Sequence, residues 1–241
     1  MSARTHTGLL GRALAVAGAG AMVFTASVAM APTASADDMD RASAETIAMV
    51  EAKPWPFYEH GQVDIDIRAA YRVLGQQGYD SEVETSEFTD ELRDEVLAYQ
   101  EAHEQHLPVT GNLDEETWLL LREQTYADEY GPGHGPETGH EDGVLSIQEL
   151  LMWKHDADIA NDGRYGEETF WAVCDAQEAY GLDVDGHVGR LTWRALITDQ
   201  EWEQEAARKL PQAQVSQQAP EGFVADPEEA AAQYSCDDRP A

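Results

Sequence analysis

Four sets of side chains carry the types that chemistry needs, and their spacing decides what each can do. Asp156, Asp158 and Asp162 place three carboxylates in one short stretch. A calcium loop needs oxygen ligands at its early alternate positions and a bidentate Glu at the twelfth. A loop begun at Asp158 has Ala160 third and Thr169 twelfth, so calcium is not expected. The histidines His103, His106, His134 and His140 lack the H-x-x-E-H, H-E-x-x-H or Cys-paired spacing of a zinc site. No metal or other cofactor is expected, and neither Cys174 nor Cys236 lies in a nucleophile motif. The last set is Arg164, Tyr165, Tyr180, Arg190 and Arg194. Flat aromatic faces pack on rings and guanidinium forks pair with carboxylates, which is the chemistry of binding rather than of bond breaking.

These five residues gather around two tight reversals, Asp162-Gly163 and Asp185-Gly186. Asp accepts local backbone hydrogen bonds there and Gly supplies a positive φ. The second reversal belongs to a pattern that occurs twice, from Gln100 to Trp118 and from Gln177 to Trp193. Dropping Glu104 and Gln105 aligns Gln-Glu-Ala, Leu107 with Leu182, Val109 with Val184, Gly111 with Gly186, and Thr117-Trp118 with Thr192-Trp193. The chain is therefore read as two related modules.

Ser43 caps a short helix through Ala52, which Lys53-Pro54-Trp55-Pro56 must end. Module one spans 55–123. Ile67, Tyr71 and Leu74 lie at helical spacing until Gly78-Tyr79, and a polar loop covers 80–87. Thr89 caps a second helix bearing Leu92, Val96 and Tyr99, and Asp114 caps a third with Trp118 and Leu121. The Gly, Pro, His and acid of 124–143 read as a linker. Module two, 144–198, has Ile147, Leu150 and Leu151, then Phe170, Val173 and Gln177, then Trp193. The expected architecture is all-α, two small three-helix orthogonal bundles in tandem, each near the lower size limit for a single core.

The flanks and charge bound the partners. Residues 1–36 hold Arg4 and Arg12, an apolar stretch from Ala13 to Met30 and a closing Ala34-Ser35-Ala36. This pattern predicts a signal peptide removed before Asp37 rather than a retained anchor. Residues 37–54 form the short helix and its connection, and 199–241 read as an acidic, largely disordered tail. With 15 basic and 47 acidic side chains, net −32, nucleic acid and anionic membrane are not expected partners. In an exported chain the even cysteine count predicts a Cys174–Cys236 bridge; the alternative is a buried thiol at Cys174 and a free or intermolecular one at Cys236.

Module two resembles the peptidoglycan-binding-like domain, a three-helix module of secreted wall hydrolases and wall-associated bacterial proteins. The family pattern runs D-G-x-[FY]-G-x-x-T, A-V-x-x-F-Q and G-L-x-V-D-G-x-V-G-x-x-T-W. This chain supplies Asp162, Gly163, Tyr165, Gly166 and Thr169, then Ala172, Val173 and Gln177, then Gly181, Leu182, Val184, Asp185, Gly186, Val188, Gly189, Thr192 and Trp193. Ala176 stands where the family has an aromatic residue, and the Gly-Tyr that ends the first helix is missing. Module one resembles the complementary part through Trp55-Pro56, Gly61, Leu74, Gly78-Tyr79 and Tyr99-Gln100, with Thr85-Ser86-Glu87-Phe88-Thr89 in place of the first Asp-Gly motif.

The resemblance implies an exported, non-catalytic, cell-wall-associated protein that binds peptidoglycan. Arg164, Tyr165, Tyr180, Arg190 and Arg194 would then meet sugar rings and stem-peptide carboxylates. Module two, with 10 acids and 4 bases over 145–198 against 16 and 4 over 63–123, is the less repulsive toward an anionic wall. The alternatives are a protein-interaction scaffold of the same fold, serving a separately encoded wall enzyme, and a small wall hydrolase.

Overall fold

Helix signals in the sequence become helices wherever a cap and an apolar face coincide. A computed structural model describes residues 38–79, 85–200, 223, 226–231 and 233–238. The expected signal peptide, most of the 80–87 loop and most of the tail therefore lie outside the described residues. Helix α1 is Asp38–Arg41 and α2 is Ala44–Glu51, which Ser43 caps through its hydroxyl on the Thr46 N–H. Helices α3 (Ile65–Gln76), α4 (Asp90–Ala102) and α5 (Glu115–Thr125) form the first bundle. Their caps are Asp64, Thr89 and Asp114, each accepting a backbone N–H in the first turn. After a 3-10 turn at Pro136–Thr138 come α6 (Glu141–Lys154), α7 (Glu167–Tyr180) and α8 (Arg190–Thr198), the second bundle. A short α9, Pro227–Ala231, follows.

In the segment 124–143, expected to be a linker, Gln124 and Thr125 end α5, and the stretch from Tyr130 to the start of α6 packs as the opening of the second bundle. In the first bundle Tyr58 and Leu113 exchange backbone hydrogen bonds of 3.1 and 2.9 Å, Gly61 N–H donates to Phe88, and Phe88 N–H donates to Gln62. In the second, Tyr130 and Val188 exchange bonds of 2.9 and 2.8 Å, Gly133 N–H donates to Tyr165, and Tyr165 N–H donates to His134. The correspondence is residue for residue. Gly61 and Gly133 both have positive φ, +86° and +91°, which lets the chain turn back onto the loop before the second helix of each bundle. Burial of Tyr126 and Tyr130 fixes the segment, so its glycines and two prolines serve a folded connection rather than a flexible spacer. The second module therefore begins well before residue 144.

The two bundles also share one core, which separate tandem modules would not. Trp118 and Trp193, equivalent and fully buried, lie 6.0 Å apart between ring centroids. Trp55 stacks on Trp118 at 6.4 Å, and Tyr126 stacks on Trp193 at 4.9 Å. Helices α3 and α6 meet along a seam that contains charge as well as apolar surface. The Glu149 carboxylate accepts from Arg68 Nε and Arg72 Nη2, both at 2.9 Å, with all three side chains almost wholly buried. Lys154 pairs with Asp66 at 2.6 Å and donates to the carbonyls of Leu196, Ile197 and Asp199. Such buried pairs cost desolvation, and they hold because each charge faces an opposite charge and several dipoles.

The N-terminal helices seal the second bundle. The N-cap position of α8 is Gly189, which has no side chain to cap the helix. Asp38 supplies the missing acceptor, its carboxylate taking the N–H groups of Leu191 at 3.0 Å and Thr192 at 2.7 Å. Arg41 pairs with Glu129 and with Asp185.

Candidate functional site

One device, a buried glutamine, builds every reversal that the sequence analysis singled out. Gln148 on α6 accepts the N–H groups of Asp162 and Gly163 at Oε1, while its Nε2 donates to Arg164 O and Thr169 Oγ1. Gln177 on α7 does the same for Asp185 and Gly186, then His187 O and Thr192 Oγ1. Gln100 on α4 repeats it for Thr110 and Gly111, then Asn112 O and Thr117 Oγ1. One side-chain amide thus ties a loop to the first turn of the next helix, which explains why Gln and Thr recur together in the doubled pattern. Between α3 and α4, Tyr71 takes over, its hydroxyl 2.8 Å from the hydroxyl of the cap Thr89. This is the place where the first module lacks an Asp-Gly turn.

The structure scatters the five residues proposed to contact ligand. Tyr165 is fully buried as the counterpart of Phe88, and its hydroxyl donates to Gly186 O at 2.8 Å, joining the two reversals from inside. It offers no face to a sugar. Arg194 is also buried: it lies over the Trp55 ring at 4.2 Å and donates to the carbonyls of Val50, Glu51 and Lys53. Arg190 pairs with Glu123 at 2.6 Å across the two bundles. Tyr180 sits elsewhere, in a cavity of about 500 Å³ beside Lys53 and His155, donating to Asp199 and meeting His155 Nε2 at 2.7 Å. Burial spends Tyr165 and Arg194 on internal contacts, whereas Arg190 and Tyr180 make internal pairs and stay partly exposed.

Arg164 borders an open groove, at whose floor the buried Tyr165 also lies. Its guanidinium donates to Glu137 at 3.2 Å, and the Phe223 ring lies 6.0 Å from it. The groove, about 540 Å³, opens at the first reversal of the second bundle between Asp162, Glu168 and Thr169 on one side and Phe223, Gln233 and Tyr234 on the other. That size falls in the range of small-molecule sites. The far wall belongs to the C-terminal segment, which packs against the bundle through the buried Ala230 and through Tyr234, 5.5 Å from the Phe170 ring. Cys174 and Cys236 are joined in a disulfide, fastening this segment to α7. Sequence patterning assigns a low-complexity tail no partner, so the groove-wall aromatics of this C-terminal strap are not legible in it; Cys236 is the one signal pointing there.

Two histidines pack together beside the second bundle's opening turn. His134 and His140 lie edge to face at 4.7 Å, and burial holds both below the ordinary histidine range. Among the described residues no group of three or more His, Cys, Asp or Glu side chains is placed to hold a metal ion. Also among them, no helix is long and apolar enough to cross a membrane.

Comparison with known protein families gives one finding. The family described as a putative peptidoglycan binding domain matches the chain twice, over residues 64–121 and 140–196. Each match takes in the first two helices of one bundle and most of the third. No curated protein and no solved structure matches the chain.

Proposed function

We propose that this chain, which carries two tandem copies of a peptidoglycan-binding domain, is an exported, non-catalytic protein that binds peptidoglycan through its second copy. The observation that carries the choice of copy is the groove at the first reversal of the second bundle, where Gln148 holds an intact Asp-Gly turn. The first copy has Tyr71 and Thr89 at the corresponding junction. Export is favoured by the sequence of residues 1–36 and by the disulfide, which suits an oxidising compartment. A wall location follows from the ligand.

The test is co-sedimentation with purified, teichoic-acid-free peptidoglycan, with and without calcium. Because the bundles share a core, the copies are compared by point substitution in the whole protein. Ala160 is exposed and lines the groove, whereas Val109 is exposed on the first bundle. Ala160→Arg is expected to abolish binding and Val109→Arg to leave it unchanged. No sedimentation by the unsubstituted protein refutes the reading. Release of soluble muropeptides during incubation refutes the non-catalytic part.

A further inference from the structure

The groove's walls specify which part of a wall polymer it can accept. Asp162, Glu167 and Glu168 line it, and Arg164, the cation beside them, faces Glu137 at 3.2 Å. The surroundings are negative, so a carboxylate is repelled. An uncharged pyranose is not: its hydroxyls donate to carboxylate oxygens, and its C–H face packs on an aromatic ring. Tyr234 and Phe223 provide the rings, and both come from the C-terminal segment rather than from the matched domain.

We infer that the disulfide-fastened C-terminal segment is half of a saccharide slot, in which Tyr234 and Phe223 stack on an uncharged amino-sugar ring of the glycan strand while Glu167 and Glu168 accept its hydroxyls. The inference rests on the proposed peptidoglycan reading and narrows it to the glycan, excluding the stem-peptide carboxylates. Position in the fold supports the assignment. Tyr234 stands only two residues from Cys236, which is bonded to Cys174 on α7, and it lies 5.5 Å from Phe170 on the same helix. The ring is thereby held on the same helix that presents Glu167 and Glu168 in its first turn. Gly133 provides the close approach that admits the strap: a Cβ there would lie 2.9 Å from the backbone of Asp226 and Pro227.

Titration calorimetry with the full protein uses two probes, chitotetraose for the uncharged glycan and a free anionic stem tetrapeptide, beside sedimentation with whole peptidoglycan. Binding of chitotetraose but not the peptide is expected, weakened at least tenfold by Tyr234→Ala, by Phe223→Ala and by Cys236→Ser. Tyr234→Ala keeps the disulfide, so its near-UV circular dichroism checks that the fold persists. Sedimentation together with peptide binding and no chitotetraose binding overturns the glycan assignment and leaves the broader reading standing. Equal chitotetraose affinity in all three variants overturns the role of the strap, as does tighter binding by Cys236→Ser, which would make the strap a plug. No binding to either probe or to whole peptidoglycan overturns the inference and the broader reading together.

Discussion

Replacing Gln177 tests the structural core of this account. Its side chain is almost wholly buried and makes five contacts: Oε1 accepts Asp185 N at 3.0 Å and Gly186 N at 2.8 Å, and Nε2 donates to Asp185 Oδ1 at 2.9 Å, His187 O at 2.8 Å and Thr192 Oγ1 at 3.3 Å. Gln177→Ala orphans two backbone N–H groups at once. Each buried, unsatisfied polar group costs about 1–3 kcal/mol, and water entering the vacated space recovers part of that. A net loss of about 3–4 kcal/mol is expected, equivalent to a fall in melting temperature of roughly 6–16 °C for a protein of this size. Gln177→Glu is the sharper probe, because it keeps the acceptor and converts the donor into a carboxylate oxygen beside Asp185. At pH 7.5 two like charges then face each other, and the loss should match or exceed that of the alanine variant. At pH 4.5, where protonation restores a donor, part of the stability should return. Urea unfolding followed by tryptophan fluorescence at both pH values measures this. An alanine loss below about 1 kcal/mol, the net worth of one ordinary hydrogen bond, refutes the clamp. So does a glutamate variant as stable as the parent at pH 7.5.

Other perturbations address separate parts of the molecule. Burial and the neighbouring Asp66 push the Asp64 carboxyl up to about 7. The folded state therefore binds its proton more tightly than the unfolded chain, and this contribution to stability is full below the unfolded pKa and lost as pH rises toward 7. Asp64→Asn, which keeps the cap on α3, should gain roughly 2–4 kcal/mol over the parent between pH 4 and pH 8; parallel melting curves across that range would refute it. Glu149→Ala leaves Arg68 and Arg72 without their shared carboxylate and should cost about 3–5 kcal/mol by urea unfolding. Gly186→Ala meets the Phe170 ring at 2.2 Å in a residue with φ of +71°, so soluble yield and melting temperature should fall sharply, whereas Gly61→Ala, with open space around it, incurs only backbone strain of about 1–2 kcal/mol. Tyr165→Phe removes the bond to Gly186 O and should cost about 1 kcal/mol of stability while leaving peptidoglycan sedimentation unchanged.

What the sequence determined by itself was local. Ser43, Thr89 and Asp114 announce helix starts because a short polar side chain beside an apolar periodic stretch satisfies N–H groups that the helix leaves unpaired. Gly111 and Gly186 announce turns because their positive φ disfavours other residues. The doubled Gln-to-Trp pattern, and the resemblance it carries, followed from these signals and gave the all-α fold and its two copies. It did not give the work of Gln100 and Gln177, although their recurrence with Thr117 and Thr192 held the clue.

Only the tertiary structure decided what is inside. Tyr165 and Arg194 have the types of ligand-binding residues, and the same types suit a core edge, where an aromatic body is buried and its polar end meets a carbonyl. Nothing local separates the two uses. Likewise the glycines of 124–143 suggest a spacer until the distant Val188 and Tyr165 pair with Tyr130, Gly133 and His134. The groove exists because a disulfide spanning 62 residues brings Tyr234 against Phe170. A contact between residues far apart in the chain leaves no periodicity or cap to read, so its consequences appear only when the chain is folded.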